Sequence, residues 1–252
     1  MLTMHLNITL ILSILLIGIV VICAWQGFKK GIIMGIVEIL VIILSIFGAQ
    51  LLSDAYAYEV IPALKPFVSG YMEGRVEAQA YTLLGYEADE EGNYNVTYSL
   101  NDLLDANPDI IHSVYQQSFR ALGISDAAAE KMAAKADAYR EENPCTVVEA
   151  AVQVLCQTVT WVLGFALAFL LLFIALTVIV NLPNLSLRIP FVGLINDLGG
   201  LGLGIVTGFL FCSLILWFCQ YLGLVLPEDT LRSSNAAAYF MDMNLVSQFI
   251  DF

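Results

Sequence analysis

Residues 8–25, 32–52, 159–180 and 198–220 form four almost uninterrupted apolar runs. At about 1.5 Å of helix rise per residue, each is long enough to cross a hydrocarbon layer of about 30 Å. Of the 252 residues 59% are hydrophobic and only 13% charged, so in water the chain would carry far more apolar surface than one core could hide. The expected fold class is an all-α membrane protein with four transmembrane helices and a mostly helical extracytoplasmic insertion between the second and the third. Residues 1–52 make a first helix pair, 53–150 the insertion, 151–222 a second pair, and 223–252 an extracytoplasmic tail. The first run is expected to stay in the membrane, because no basic residue precedes it and no small-x-small cleavage site follows. Val20-Val21-Ile22 before Cys23 is also unlike a lipoprotein cleavage site.

Orientation follows from the short connections. Lys29 and Lys30 lie between the first two runs and Arg188 between the last two, and short loops rich in Lys and Arg stay in the cytoplasm. Both termini and the long middle segment are then expected outside.

Segment 53–150 holds 17 of the 23 acidic and 6 of the 10 basic residues, a net −11 of the chain's −13. Its pattern predicts a helix over 53–81 interrupted at Pro62 and Pro66, and a helix launched by Asn107-Pro108 and stopped by Gly123. Ser125 should cap an alanine-rich helix to about Glu142, and Asn143-Pro144 should launch the long helix that becomes the third span. Asp89-Glu90-Glu91-Gly92-Asn93 reads as a turn beside Tyr94–Tyr98, compatible with a short hairpin or an extended loop. The acidity suits a solvated helical surface, a docking face for a basic partner, or a vestibule that collects cations. No calcium-loop spacing occurs, and no metal site or other cofactor is expected. Cys23, Cys156, Cys212 and Cys219 lie in or beside the spans and Cys145 stands alone, so no disulfide is expected either.

Glu38 is the one carboxylate inside a predicted span, about 12 Å of helix beyond Lys30. Ionised there without a partner it would be costly, so it is either a proton- or cation-handling group or a protonated packing residue. The only polar residues the facing spans offer it are Ser45, Gln50, Gln157, Thr158, Thr160, Thr177, Thr207 and Ser213. Gly200, Gly204 and Gly208 recur every four residues and line one face of the last span, where another helix backbone can approach closely. Asn196 is placed to cap that helix and Asp197 to complement its positive end. In the tail, Tyr239, Phe240, Leu245, Val246, Phe249 and Ile250 offer an apolar face for the outer leaflet or the acidic segment.

Two stretches together resemble the colicin V production (CvpA) family of bacterial membrane proteins. They are Trp25-Gln26-Gly27-Phe28-Lys29-Lys30-Gly31-Ile32-Ile33, and Ile189-Pro190-Phe191-Val192-Gly193-Leu194-Ile195-Asn196 with the glycine stripe that follows. Leu231-Arg232-Ser233-Ser234 followed by Tyr239 resembles the family's serine-containing ending. Members often carry an acidic residue near the position of Gly35 and basic residues near Asp197 and Thr207, which this chain does not. The resemblance implies a multi-pass protein of the bacterial cytoplasmic membrane linked to export of a peptide toxin or to envelope homeostasis. Some relatives fuse such a domain to an outward serine protease, which agrees with an outward C-terminus.

The two histidines, His5 and His112, belong to no Ser/His/Asp order, and no phosphate-cradling GxxxxGK[ST] loop exists, so enzyme activity is not expected. The leading expectation is a non-enzymatic membrane scaffold whose partners are lipids, an envelope or secretion protein engaged through 53–150, and further copies of itself, with no nucleic acid. The alternative is a small oligomeric cation channel or transporter using Glu38 and an acidic vestibule.

Overall fold

The computed structural model describes residues 2–87, 89, 94, 96, 98–181, 193–221, 223 and 228–243, with side chains from Thr9 onward except those of Tyr58, Asp229 and Met243. The described residues are helical apart from short connections and one isolated bridge residue, Tyr94. In chain order the helices are α1 (Leu2–Leu83), α2 (Leu100–Ala106), α3 (Ile111–Arg120), α4 (Asp126–Glu142), α5 (Val147–Asn181), α6 (Gly193–Tyr221), α7 (Glu228–Arg232) and α8 (Asn235–Met243). Among the described residues, three helical stretches are long and apolar enough to cross a membrane: Thr9–Ala57, Val147–Asn181 and Gly193–Tyr221. The first holds both of the apolar runs read near the N-terminus, and Gly31 breaks it with φ 80° and ψ 179°. Only glycine takes that backbone geometry without strain.

The chain divides into two compact units. The first comprises Met1–Ala55, Val162–Cys219 and Asp229–Phe252. Large apolar side chains point outward along its helices, with Leu10, Ile14, Leu44, Leu51, Leu167 and Leu171 all more than half exposed. Such a belt suits lipid and would be untenable in water. Inside, Phe165 packs against Trp217 and Phe218 at ring separations of 5.8 and 5.7 Å, and Phe173 meets Phe211 edge-on at 5.2 Å. Pairs whose numbers fall on α6 as they rise on α5 make these helices antiparallel. The described tail belongs to the same unit. Ser233 and Ser234 share hydroxyl hydrogen bonds of 2.8 Å with Thr9 and Ser13, and Phe240 packs on Phe209. Tyr239 is exposed, while Leu245, Val246, Phe249 and Ile250 lie outside the described residues.

The second unit comprises Tyr56–Trp161 and Gln220–Glu228. Its core is formed by α3 and α4, where Ala129, Ala133 and Ala136 let the helix backbones close around Tyr115, Phe119 and Met132, all fully buried. Ion pairs fasten the rim: Arg140 reaches Asp105 at 2.9 Å, and Arg120 reaches Asp126 at 2.5 Å. His112 faces a carboxylate oxygen at each ring nitrogen, and as imidazolium it donates from Nδ1 to Asp137 Oδ2 at 2.5 Å and from Nε2 to Glu130 Oε1 at 3.3 Å. Hydrogen bonding to Asp137 is the main reason its pKa stands above the ordinary 6.5.

Several boundaries differ from those the sequence predicts. Pro62 and Pro66 sit within α1 without ending it. Each removes one backbone hydrogen bond, but burial of Ala57 and Ile61 on the adjoining turns holds the helix together. Asn107 does not cap α3; it closes α2, and Pro108–Ile110 form a 3-10 turn ahead of α3. Asn143 likewise closes α4, donating from its side chain to Tyr139 O at 2.9 Å. The cap of α5 is Thr146: its hydroxyl accepts from Glu149 N at 3.2 Å while Glu149 accepts from Thr146 N at 2.9 Å. This reciprocal pair is a capping box. Ser125 caps α4 as its sequence predicts, accepting from Ala128 N at 3.3 Å, and Gly123 ends the turn after α3 with φ 83°. The 88–97 hairpin region falls mostly outside the described residues.

Candidate functional site

The candidate site lies in the first unit and begins with the glycines. A methyl group placed on Gly200 would sit 2.7 Å from Gly31 Cα, one on Gly204 3.0 Å from Ala24 Cα, and one on Gly208 2.8 Å from Val20 Cα. Farther along, Cys212 Sγ approaches Leu16 O at 3.5 Å. As numbers rise on α6 they fall on α1, so residues 16–31 run antiparallel to α6, with backbones in contact at the glycines. Beyond Gly31 the sense reverses: Gly199 meets Ile32 and Gly35 meets Leu203. The stripe read from Gly200, Gly204 and Gly208 is thus a packing face, and its counterpart is Gly27 and Gly31 on α1. A spacing of four residues among Gly27, Gly31 and Gly35 carries that signal in the sequence.

Asn196 is not a cap for α6, which starts at Gly193, three residues earlier. Its buried side chain reaches across instead, and Oδ1 accepts from Ile32 N at 3.1 Å. Ile32 is the first residue after the break, so its N–H has no partner in the preceding turn. One helix therefore caps the restart of another.

Because the chain turns at Gly31, Lys30 and Glu38 come together although eight residues separate them. Lys30 Nζ donates to Glu38 Oε1 in an ion pair, with both side chains partly buried. Glu38 is thus not an isolated carboxylate. Lys29, beside Lys30 in the chain, instead lies 5.0 Å from the centre of the Trp25 ring, a cation–π contact, whereas Arg188 lies outside the described residues.

The ion pair lines a pocket of about 200 Å³. Gln26, Thr177, Asn181 and Thr207 supply neutral polar groups, Cys23 a thiol, and Met34, Val41, Phe173 and Phe211 an apolar wall. Thr177 and Thr207 were readable as polar span residues. Gln26 and Asn181 were not, because each belongs to the pocket only once the turn at Gly31 and the end of α5 are placed. The Thr207 side chain is almost wholly buried, and its hydroxyl has no hydrogen-bond partner. Among the described residues no cluster of three or more metal-binding side chains occurs, and all five cysteines are free.

Residues 127–245 match the family model described as colicin V production protein. The match contains the glycine stripe, Asn196 and the Ser233–Ser234 ending, so the resemblance read from those residues holds; the Trp25–Ile33 stretch precedes it. No curated protein and no solved structure matches the chain.

Proposed function

With a colicin V production domain over residues 127–245 and three apolar membrane-length helices as premises, we propose that this multi-pass membrane protein is a non-enzymatic scaffold of the bacterial cytoplasmic membrane. It serves toxin or peptide export, or envelope homeostasis, by presenting its acidic segment 53–150 outside to a secretion or envelope partner. The Thr9–Ala57 stretch crosses twice, making four crossings in all. Its 49 residues would extend about 74 Å as one rod, more than twice the hydrocarbon thickness, and the opposed senses of packing on α6 favour a reversal at Gly31. Lys29, Lys30 and Arg188 then face the cytoplasm and both termini face outward.

The observation that carries the scaffold reading is the acidic segment's own packed core of α3 and α4, more than a soluble spacer would need. Exposed Asp109, Glu141 and Glu142 leave its charge available to a basic partner. The channel alternative is weakened by Lys30, which neutralises Glu38 and so removes the field that would favour a cation. Brief crosslinking in native membranes followed by mild-detergent purification separates the two. A partner recovered with the wild-type chain and lost when Asp109, Glu141 and Glu142 become Asn, Gln and Gln supports the scaffold. Recovery of self-oligomers alone, with cation flux in liposomes that Glu38→Gln abolishes, would replace it by the channel.

A further inference from the structure

The pocket beside Lys30 and Glu38 has a composition that a packing defect would not have. It joins one cation and one anion in direct contact to the buried, unpartnered hydroxyl of Thr207, the amide of Gln26 and an apolar wall that includes Phe173 and Phe211. At about 30 Å³ per water in the liquid, its volume equals roughly seven waters, enough for a small polar head. A ligand with a single charge would open the ion pair and leave the other member half-buried and unpaired, which costs free energy. A ligand with both charges replaces each lost contact.

From this geometry we propose that the pocket binds a zwitterion made of a primary ammonium and a phosphate, specifically the headgroup of an aminophospholipid such as phosphatidylethanolamine. The ammonium donates to Glu38 in place of Lys30 Nζ, and Lys30 turns to the phosphate. Thr207 and Gln26 supply further hydrogen bonds to the phosphate and ammonium. The apolar wall receives the start of the acyl region, which a wholly soluble zwitterion lacks. A quaternary ammonium, having no N–H, gives Glu38 nothing to accept. The inference is independent of the export partner, since it concerns the first unit alone.

Cys23 lines the same pocket and reports occupancy, while Cys145, in the other unit, serves as the internal reference. The wild-type chain is placed in nanodiscs of phosphatidylglycerol alone, or with phosphatidylethanolamine or phosphatidylcholine added. Alkylation of the two thiols by N-ethylmaleimide is followed by peptide mass spectrometry. Phosphatidylethanolamine at about ten times its Kd slows Cys23 about tenfold relative to Cys145, and phosphatidylcholine does not. Soluble phosphoethanolamine is added to the phosphatidylglycerol discs as a separate arm. Protection by it, with none from the lipid, keeps the zwitterion site but assigns it to a soluble ligand. The Lys30→Met/Glu38→Met double variant, which leaves neither charge alone, loses the protection. Equal Cys23 rates in every lipid and with phosphoethanolamine, or protection that survives in the double variant, would overturn the proposal.

Discussion

Asn196 brings its side-chain oxygen to the amide of Ile32, a contact 164 positions away in sequence. A short polar residue near the start of an apolar helix is ordinarily read as a local cap, and that reading fails because α6 begins three residues earlier than the asparagine. The side chain is then inside its helix and free to serve a neighbour. Losing it strands a half-buried donor, so Asn196→Leu should lower stability by about 1–3 kcal/mol. Thermal unfolding in detergent measures this, and an unchanged midpoint would show that the Ile32 amide is satisfied some other way. Glu38 teaches a related lesson. Its position in an apolar run was legible, but its partner was not, because straight-helix geometry puts Lys30 about 12 Å away and only the turn at Gly31 removes that distance.

Among the helices, the legible part was the apolar periodicity and the glycine spacing, since both are properties of a single segment. The α6 stripe identifies a close-packed face, and Gly204→Leu should force backbone apart from Cys23 and Ala24, destabilising the fold by more than about 3 kcal/mol. Gly202 meets nothing within 4 Å, so Gly202→Ala should leave the midpoint within about 0.5 kcal/mol. A size-exclusion profile with melting curves compares the two, and equal losses would refute the stripe as the packing face. What sequence could not provide was the end of each helix in the acidic segment. Asn107 and Asn143 carry cap-type side chains, yet both close the helix before them, and the capping box one turn beyond, at Thr146 and Glu149, prevails because it satisfies two amides at once. The α3–α4 clamp is pH-sensitive. His112 has a raised pKa in the folded state, so its ionic contribution is complete below the ordinary 6.5 and disappears as pH rises through the raised value. The histidine is 40% exposed, so solvent limits the contribution to at most about 1 kcal/mol. Wild-type melting should therefore decline across that window, and His112→Gln should flatten this part of the profile.

At the level of the whole chain, membrane residence was legible in four apolar runs, while the sharp break at Gly31 that separates the first two was not. Residues such as Gly31 look unremarkable in a glycine-containing turn until the backbone is seen. Orientation gives a direct test through Cys145. Burial and the nearby Glu149 carboxylate push its thiol up, so labelling is best run near pH 8.5, where more thiolate is present. A membrane-impermeant maleimide should label it in intact cells; labelling only after lysis would reverse the proposed sidedness.

The hydroxyl pairs between Thr9 and Ser233 and between Ser13 and Ser234 set a clock on assembly. The ribosome makes the first of these partners 224 residues before the second. At about 5–20 residues per second, the early helix waits on the order of 11–45 seconds for its late neighbour. Closure of this unit is consequently a late event, and a nascent chain stalled before Ser233 holds an N-terminal helix that is made but not yet closed.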